Sequence, residues 1–195
     1  PALPVERPYD FLTEFTEDRG YPIHPIRDPQ AQPTADEIAV PQQGWTLRIR
    51  SDVGPVLANA AQEFRHYLEA AFDTRLTVEQ RDSLSDWSSQ MDTIVAGQRE
   101  HLPGCGSALE GPKDYQIIVS TGRITVCGFD ERGAMYGLYN LEARMNLRGA
   151  PFLPRDLNTT RRSLFRARMT LSGLGWMKWP DRYLATLPRY GFDSI

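Results

Sequence analysis

Cysteine is nearly missing from this 195-residue chain: Cys105 and Cys127 are its two, too few for a disulfide scaffold. Histidine is almost as rare, with His24, His66 and His101 scattered along the sequence. His101 and Cys105 stand four apart, but the flanking "LPGCGS" does not continue a helix that would bring them to one face, so no metal site and no cofactor is expected. Neither sign of charge dominates. Lys and Arg number 22 against 25 Asp and Glu, a net charge of −3, which gives no signal for a polyanionic partner and argues against nucleic acid. No apolar run approaches the roughly 18–20 residues needed to cross a bilayer, so no membrane partner is expected. No charged-then-apolar leader opens the sequence, which starts at a proline, and a cytoplasmic and a processed, secreted location both stay open. The nucleophile elbow G-x-S-x-G, the dinucleotide fingerprint G-x-G-x-x-G and the Walker pattern are absent, and "GLG" at Gly173–Gly175 is too short to stand for any of them.

What is present is core-forming material: 41% hydrophobic and 24% charged residues, with a mean hydropathy of −0.46. Residues 1–43 hold eight of the fifteen prolines and read as an extended arm pinned by Phe11, Phe15, Tyr21 and Ile23, with a short helix over "YDFLTEFTED". "WTLRIR" alternates as a half-buried strand does. "GPVLANAAQEFRHYLEAAFD" is the strongest helix, with Pro55 in its first turn and a stripe of Leu57, Ala60, Ala61, Phe64, Tyr67, Leu68, Ala71 and Phe72. "RLTVEQ" and "MDTIVAG" are two further strands, separated by the polar loop "RDSLSDWSSQ".

"DYQIIVS-TG-RITVCG" then reads as a hairpin on a two-residue turn, pairing Val119 with Ile124 and Ile117 with Val126 on a core face. Gln116, Ile118, Thr125 and Cys127 fall on a second, more polar face, open to water or to another domain. The next run, "FDERGAMYGLYNLEARM", is a helix with Asp130 as N-cap. Its oddity is Gly133 and Gly137, one turn apart, each costing about 0.8–1 kcal/mol of helix propensity relative to Ala. Together with Ala134 they leave one side bare, which suits close docking on a sheet. The alternative, a phosphate cradle at the helix start, meets an Asp and a Glu where the anion would sit.

Past Gly149 the composition shifts to "APFLPRDLNTTRR", a connector, then to a strand over "SLFRARMTLSG", a helix, a Gly turn and the start of another strand. That order opens a βα repeat. It breaks off inside the second strand, and more of the same domain is expected beyond Ile195.

The residues Tyr115, Ile117, Val119, Ile124, Val126, Gly128, Asp130, Arg132, Gly133, Ala134, Tyr136, Gly137, Leu138, Tyr139 and Leu141 follow a pattern that resembles the second domain of family 20 β-N-acetylhexosaminidases. A related α+β accessory domain precedes the barrel of family 67 α-glucuronidases. The resemblance covers roughly residues 44–149. It implies an α+β fold, a two-layer sandwich of a mixed β-sheet with helices on one face, followed by the first βα unit of a truncated (β/α)8 barrel. The domains expected are then an arm over 1–43, the accessory domain over 44–149, a linker over 150–162 and the start of the barrel over 163–195. Asp130, Arg132, Gly133, Tyr136 and Gly137 are its structural motif.

The function implied is that of the N-terminal part of a glycoside hydrolase acting on oligo- or polysaccharides, its partners being the carbohydrate and the rest of the barrel. The alternative is a stand-alone, non-catalytic module binding carbohydrate or protein. Family 20 enzymes carry an Asp and a substrate-gripping Arg after the first barrel strand; aligned from Arg166, those positions hold Leu171 and Leu174. Arg168-Met169 followed by a loop with Trp176 and Trp179 is nearer the α-glucuronidase type. Glycoside hydrolysis uses two carboxyl groups, or one plus a substrate amide, and the loop "TLSGLGWMKW" has none, so no catalytic residue is assigned and the acids are expected beyond Ile195. Trp176, Trp179 and Ser172 are the substrate-side candidates, the indoles for stacking on sugar rings; the same tryptophans would equally serve to cover the barrel top.

Overall fold

A computed structural model describes residues 26–170 and 181–194. The chain divides into two compact units, one of residues 25–164 and a second that includes residues 165–194.

The larger unit is built on a six-stranded sheet. Its strands are β2 (Thr46–Arg50), β3 (Thr77–Arg81), β4 (Thr93–Gln98), β5 (Tyr115–Ser120), β6 (Arg123–Gly128) and β8 (Asn158–Arg161), in the spatial order β3-β2-β4-β6-β5-β8. The first four in that order run parallel; β5 is antiparallel to both β6 and β8. β5 and β6 form the expected hairpin, with Val119 opposite Ile124, Ile117 opposite Val126, and Gly122 at φ +71° supplying the turn.

Helices α1 (Pro55–Phe72) and α2 (Glu131–Arg148) cover one face of this sheet. All eight apolar residues of the α1 stripe are buried, and each Leu- or Phe-sized side chain so placed contributes about 1.5–3 kcal/mol. α1 ends where Asp73 turns left-handed at φ +56° and its N–H reaches back to the Glu69 carbonyl. The two helices are joined by Tyr139, which donates to Glu63 at 2.7 Å, and by Tyr67, which donates to the Glu142 carbonyl at 3.1 Å.

The opposite face is neither wet nor bare. Leu84, Trp87, Val95, Leu102, Cys105, Leu109 and Cys127 form a second core there, with Ile118 and Phe129 against it. The run read as a polar loop, 81–90, thus drops Leu84 and Trp87 into the interior, and the Trp87 indole donates to the Pro103 carbonyl at 3.0 Å. The Arg99 guanidinium lies 4.0 Å over the Phe129 ring at the border of this cluster. The layers are therefore helices, sheet and packed loops.

Segments 26–43 and 150–162, read as arm and connector, carry strands. β1 (Glu37–Ala39) pairs antiparallel with β7 (Phe152–Pro154), and β8 extends the main sheet from β5. Arg148, at the end of α2, holds Glu37 with two bonds of 2.7 and 3.1 Å. The helix expected over "YDFLTEFTED" lies outside the described residues.

In the second unit α3 (Asp181–Arg189) ends in a turn through Gly191 at φ +84°. Met169 and Ser194 then form a parallel bridge, with the Asp193 N–H on the Arg168 carbonyl at 2.9 Å and the Thr170 N–H on the Ser194 carbonyl at 3.1 Å. Of the strand read over 163–173, the described residues show only this single bridge at Met169. The fold is broadly α+β, a mixed sheet with helices.

Candidate functional site

The motif residues gather where β6 gives way to α2. Asp130 caps the helix: its Oδ1 accepts from the Gly133 N–H at 2.8 Å and from the Lys113 N–H at 3.0 Å. The Asp114 carbonyl accepts from the Phe129 N–H at 2.8 Å and lies so close to Gly133 that a methyl group there would overlap it. One turn on, a methyl at Gly137 would overlap Val126 of β6. Both glycines are buried, and α2 rests directly on backbone and branched side chains. Tyr136 is buried beside them, while Arg132 is exposed.

Asp114 is the residue that pattern reading passed over. Its Oδ2 takes the Glu110 and Gly111 N–H groups at 2.9 and 3.0 Å, and its Oδ1 takes the Ser163 N–H at 2.8 Å. Burial alone would push its carboxyl up; the N–H donors of Ser163, Glu110 and Gly111, with Arg162 nearby, outweigh burial and hold it below the ordinary value. Arg162 adds an ion pair to Glu110 at 2.8 Å. Asp114 thus fixes the loop before β5 and the segment after β8 at one point. Its signal in the sequence is only an Asp preceded by "GPK", a turn pattern shared by countless loops.

No anion cradle opens at this edge. Glu131 reaches across to accept the N–H of Gly54, the residue that precedes α1, so a carboxylate of the chain occupies that helix start, as Asp130 occupies the start of α2. Beside them Arg50 pairs with Asp52, and Ser51 donates to Asp82 at 2.9 Å.

At the other end of the parallel strands a cavity of about 360 Å³ is lined by Gln43, Gly44, Trp45, Thr46, Arg75 and Thr77. It carries no carboxyl group, so it lacks the acid and base that glycoside hydrolysis uses. Among the described residues no group of three or more His, Cys, Asp or Glu could hold a metal ion. No helix of the described residues is long and apolar enough to cross a membrane. Trp176, Trp179 and Ser172, with Leu171 and Leu174, lie outside the described residues.

No protein-family model and no curated protein matches the chain. Solved structures do. The chain is similar over 90% of its length to an N-acetyl-β-hexosaminidase of Streptomyces plicatus in complex with thio-NAglucal, at a TM-score of 0.60 and 14% identity, covering 33% of that chain. A mutant of the same enzyme in complex with its product GlcNAc gives 0.57 and 15%, with the same coverage. CpGH84D is similar over 78% of this chain and 26% of its own, at 0.50 and 16%. At such identities the likeness is one of fold: a glycoside-hydrolase-like fold is shared. The chain spans about a third of the length of the hexosaminidase structures it matches.

Proposed function

We propose that this chain is the N-terminal part of a glycoside hydrolase acting on oligo- or polysaccharides, with the unit around the six-stranded sheet as its accessory domain. In this reading residues 163–195 begin a (β/α)8 barrel. Its first βα loop carries Trp176, Trp179 and Ser172 toward the substrate, because barrel sites are built at the C-terminal ends of the strands. The catalytic acids belong to later strands, beyond Ile195, and the partners are the carbohydrate and the remainder of the barrel. The observation that carries the reading is the fold likeness of 90% of the chain to one third of an N-acetyl-β-hexosaminidase. The parallel bridge between Met169 and Ser194, on either side of α3, is consistent with it.

The test compares two polypeptides on a panel of aryl glycosides: residues 1–195, and the same chain continued through the rest of its coding region. The continued polypeptide should release aryl alcohol and the 195-residue chain should not. Sustained turnover by residues 1–195, or a continued polypeptide that binds glycans without cleaving any substrate, overturns the proposal; the second result favours a non-catalytic binding module.

A further inference from the structure

The two cysteines of this chain, 22 positions apart in sequence, meet in the loop-covered core. Cys127 lies on β6, with Gln116 of β5 directly opposite. The Gln116 carboxamide oxygen accepts the Gly106 N–H at 3.0 Å and stands 4.0 Å from the Cys105 Sγ. Gly106 itself, at φ +74°, sits so tightly against Cys127 that a methyl group added to it would come within 2.7 Å of the Sγ. The loop backbone is therefore pressed onto one thiol while carrying the other. Both are free thiols in this structure.

Their surroundings differ. Cys105 is 6% exposed and is bracketed by the exposed residues Pro103, Gly104, Ser107 and Ala108, whereas Cys127 is fully buried behind it. The neighbouring Cys127 thiol draws that of Cys105 below its ordinary value; the influence of Cys105, followed by burial, pushes that of Cys127 up. An approaching reagent thus meets the more acidic sulfur first.

We propose that Cys105 and Cys127 form a reversible disulfide by exchange with a small-molecule disulfide, and that the bond staples the 99–114 loop layer to β6. The Cys105 thiolate attacks the external disulfide, making a mixed disulfide and releasing one small thiol, which takes up the proton Cys105 has lost. Cys127 then gives up its proton and attacks the Cys105 sulfur, expelling the second small thiol, which carries that proton away. One external disulfide is reduced to two thiols as the protein pair is oxidised by two electrons. The closed segment of about 20 residues is long enough for the bond to raise the thermal midpoint by roughly 5–10 °C.

The experiment uses the full chain, folded, incubated either with excess oxidised glutathione or with dithiothreitol, then denatured in acid, alkylated with a maleimide and weighed intact. The reduced sample should take up two maleimides. The oxidised sample should take up none, carry no glutathione, lie about 2 Da lighter than the reduced chain before labelling, yield a Cys105–Cys127 linked peptide and melt several degrees higher. Dithiothreitol should reverse every change. Two free thiols after oxidation, glutathione retained as the end state, or disulfides between chains would each overturn the proposal.

Discussion

Helices α1 and α2 each run for 18 residues on the same face of the sheet; both bury apolar side chains, but their closest approaches are made differently. α1 brings bulk: Leu57, Phe64, Tyr67 and Leu68 are wholly buried and fill the space over β2 and β3. α2 brings absence: at Gly133 and Gly137 there is no side chain, and the helix settles onto the Asp114 carbonyl and Val126. The lesson is that a low-propensity residue inside a helix records what lies opposite it. Its roughly 1 kcal/mol cost is offset by the contact made possible.

The test compares removal of atoms at Phe64 of α1 with addition of atoms at the two glycines of α2. Phe64→Ala empties a wholly buried site and should lower stability by about 3–5 kcal/mol, read as a shift of the urea midpoint. Gly133→Val should cost about 3 kcal/mol, because the obstructing atom is a backbone oxygen that cannot turn aside. Gly137→Ala should cost about 1–3 kcal/mol, because Val126 is buried and stiff while alanine restores some helix propensity. If Gly133→Val melts like the parent protein, the contrast between the helices is wrong.

The last prediction concerns the two C-terminal ends. Asp73 after α1 pairs with Arg27, but both side chains are largely exposed and the pair is worth little. Arg148 of α2 grips a Glu37 side chain that is 14% exposed, and its hydrogen bonds, with that of the Thr34 N–H, pull the Glu37 carboxyl from 4.5 to about 2. The folded protein keeps this carboxylate at a pH where the unfolded chain would protonate it. Its contribution is therefore complete above about pH 5 and disappears as the pH falls toward 2. Glu37→Gln should destabilise by about 1–3 kcal/mol at neutral pH and by progressively less as the solution is acidified, while Arg27→Ala should change the midpoint by less than about 0.5 kcal/mol at any pH. Equal losses for Glu37→Gln at neutral and acid pH would show that the ionised Glu37 carboxylate does not stabilise the fold.

How much of this was readable beforehand depended on whether a residue's burial is periodic. The α1 stripe repeats every three to four residues and the β5–β6 hairpin every two, so both could be read with their register. Asp130 was legible because an N-cap has a fixed place relative to its helix. Leu84 and Trp87 were not: they sit among Ser and Asp in a loop whose packing follows no period. β7 and β8 are three and four residues long, with Pro, Arg and Thr, and become strands only because Glu37–Ala39 and Tyr115–Ile118 lie ready to pair with them. Asp114 escaped for a related reason: its bonds to the Glu110 and Gly111 N–H groups look like any local turn, and the partner that sets it apart, Ser163, is 49 positions away. At the candidate site, the capping and glycine residues could be placed from their spacing, whereas Trp176, Trp179 and Ser172 fall in a stretch the structure does not describe.

The outermost rung of the main sheet is supplied by Asn158–Arg161, downstream of the last helix laid on it. Anyone excising the module at Gly149 would strip that rung away, along with Phe152–Pro154, and would leave the amides and carbonyls of Tyr115–Ile118 as a raw template for self-association. A transferable, well-behaved piece has to keep its tail through Ser163, where Asp114 ties it down.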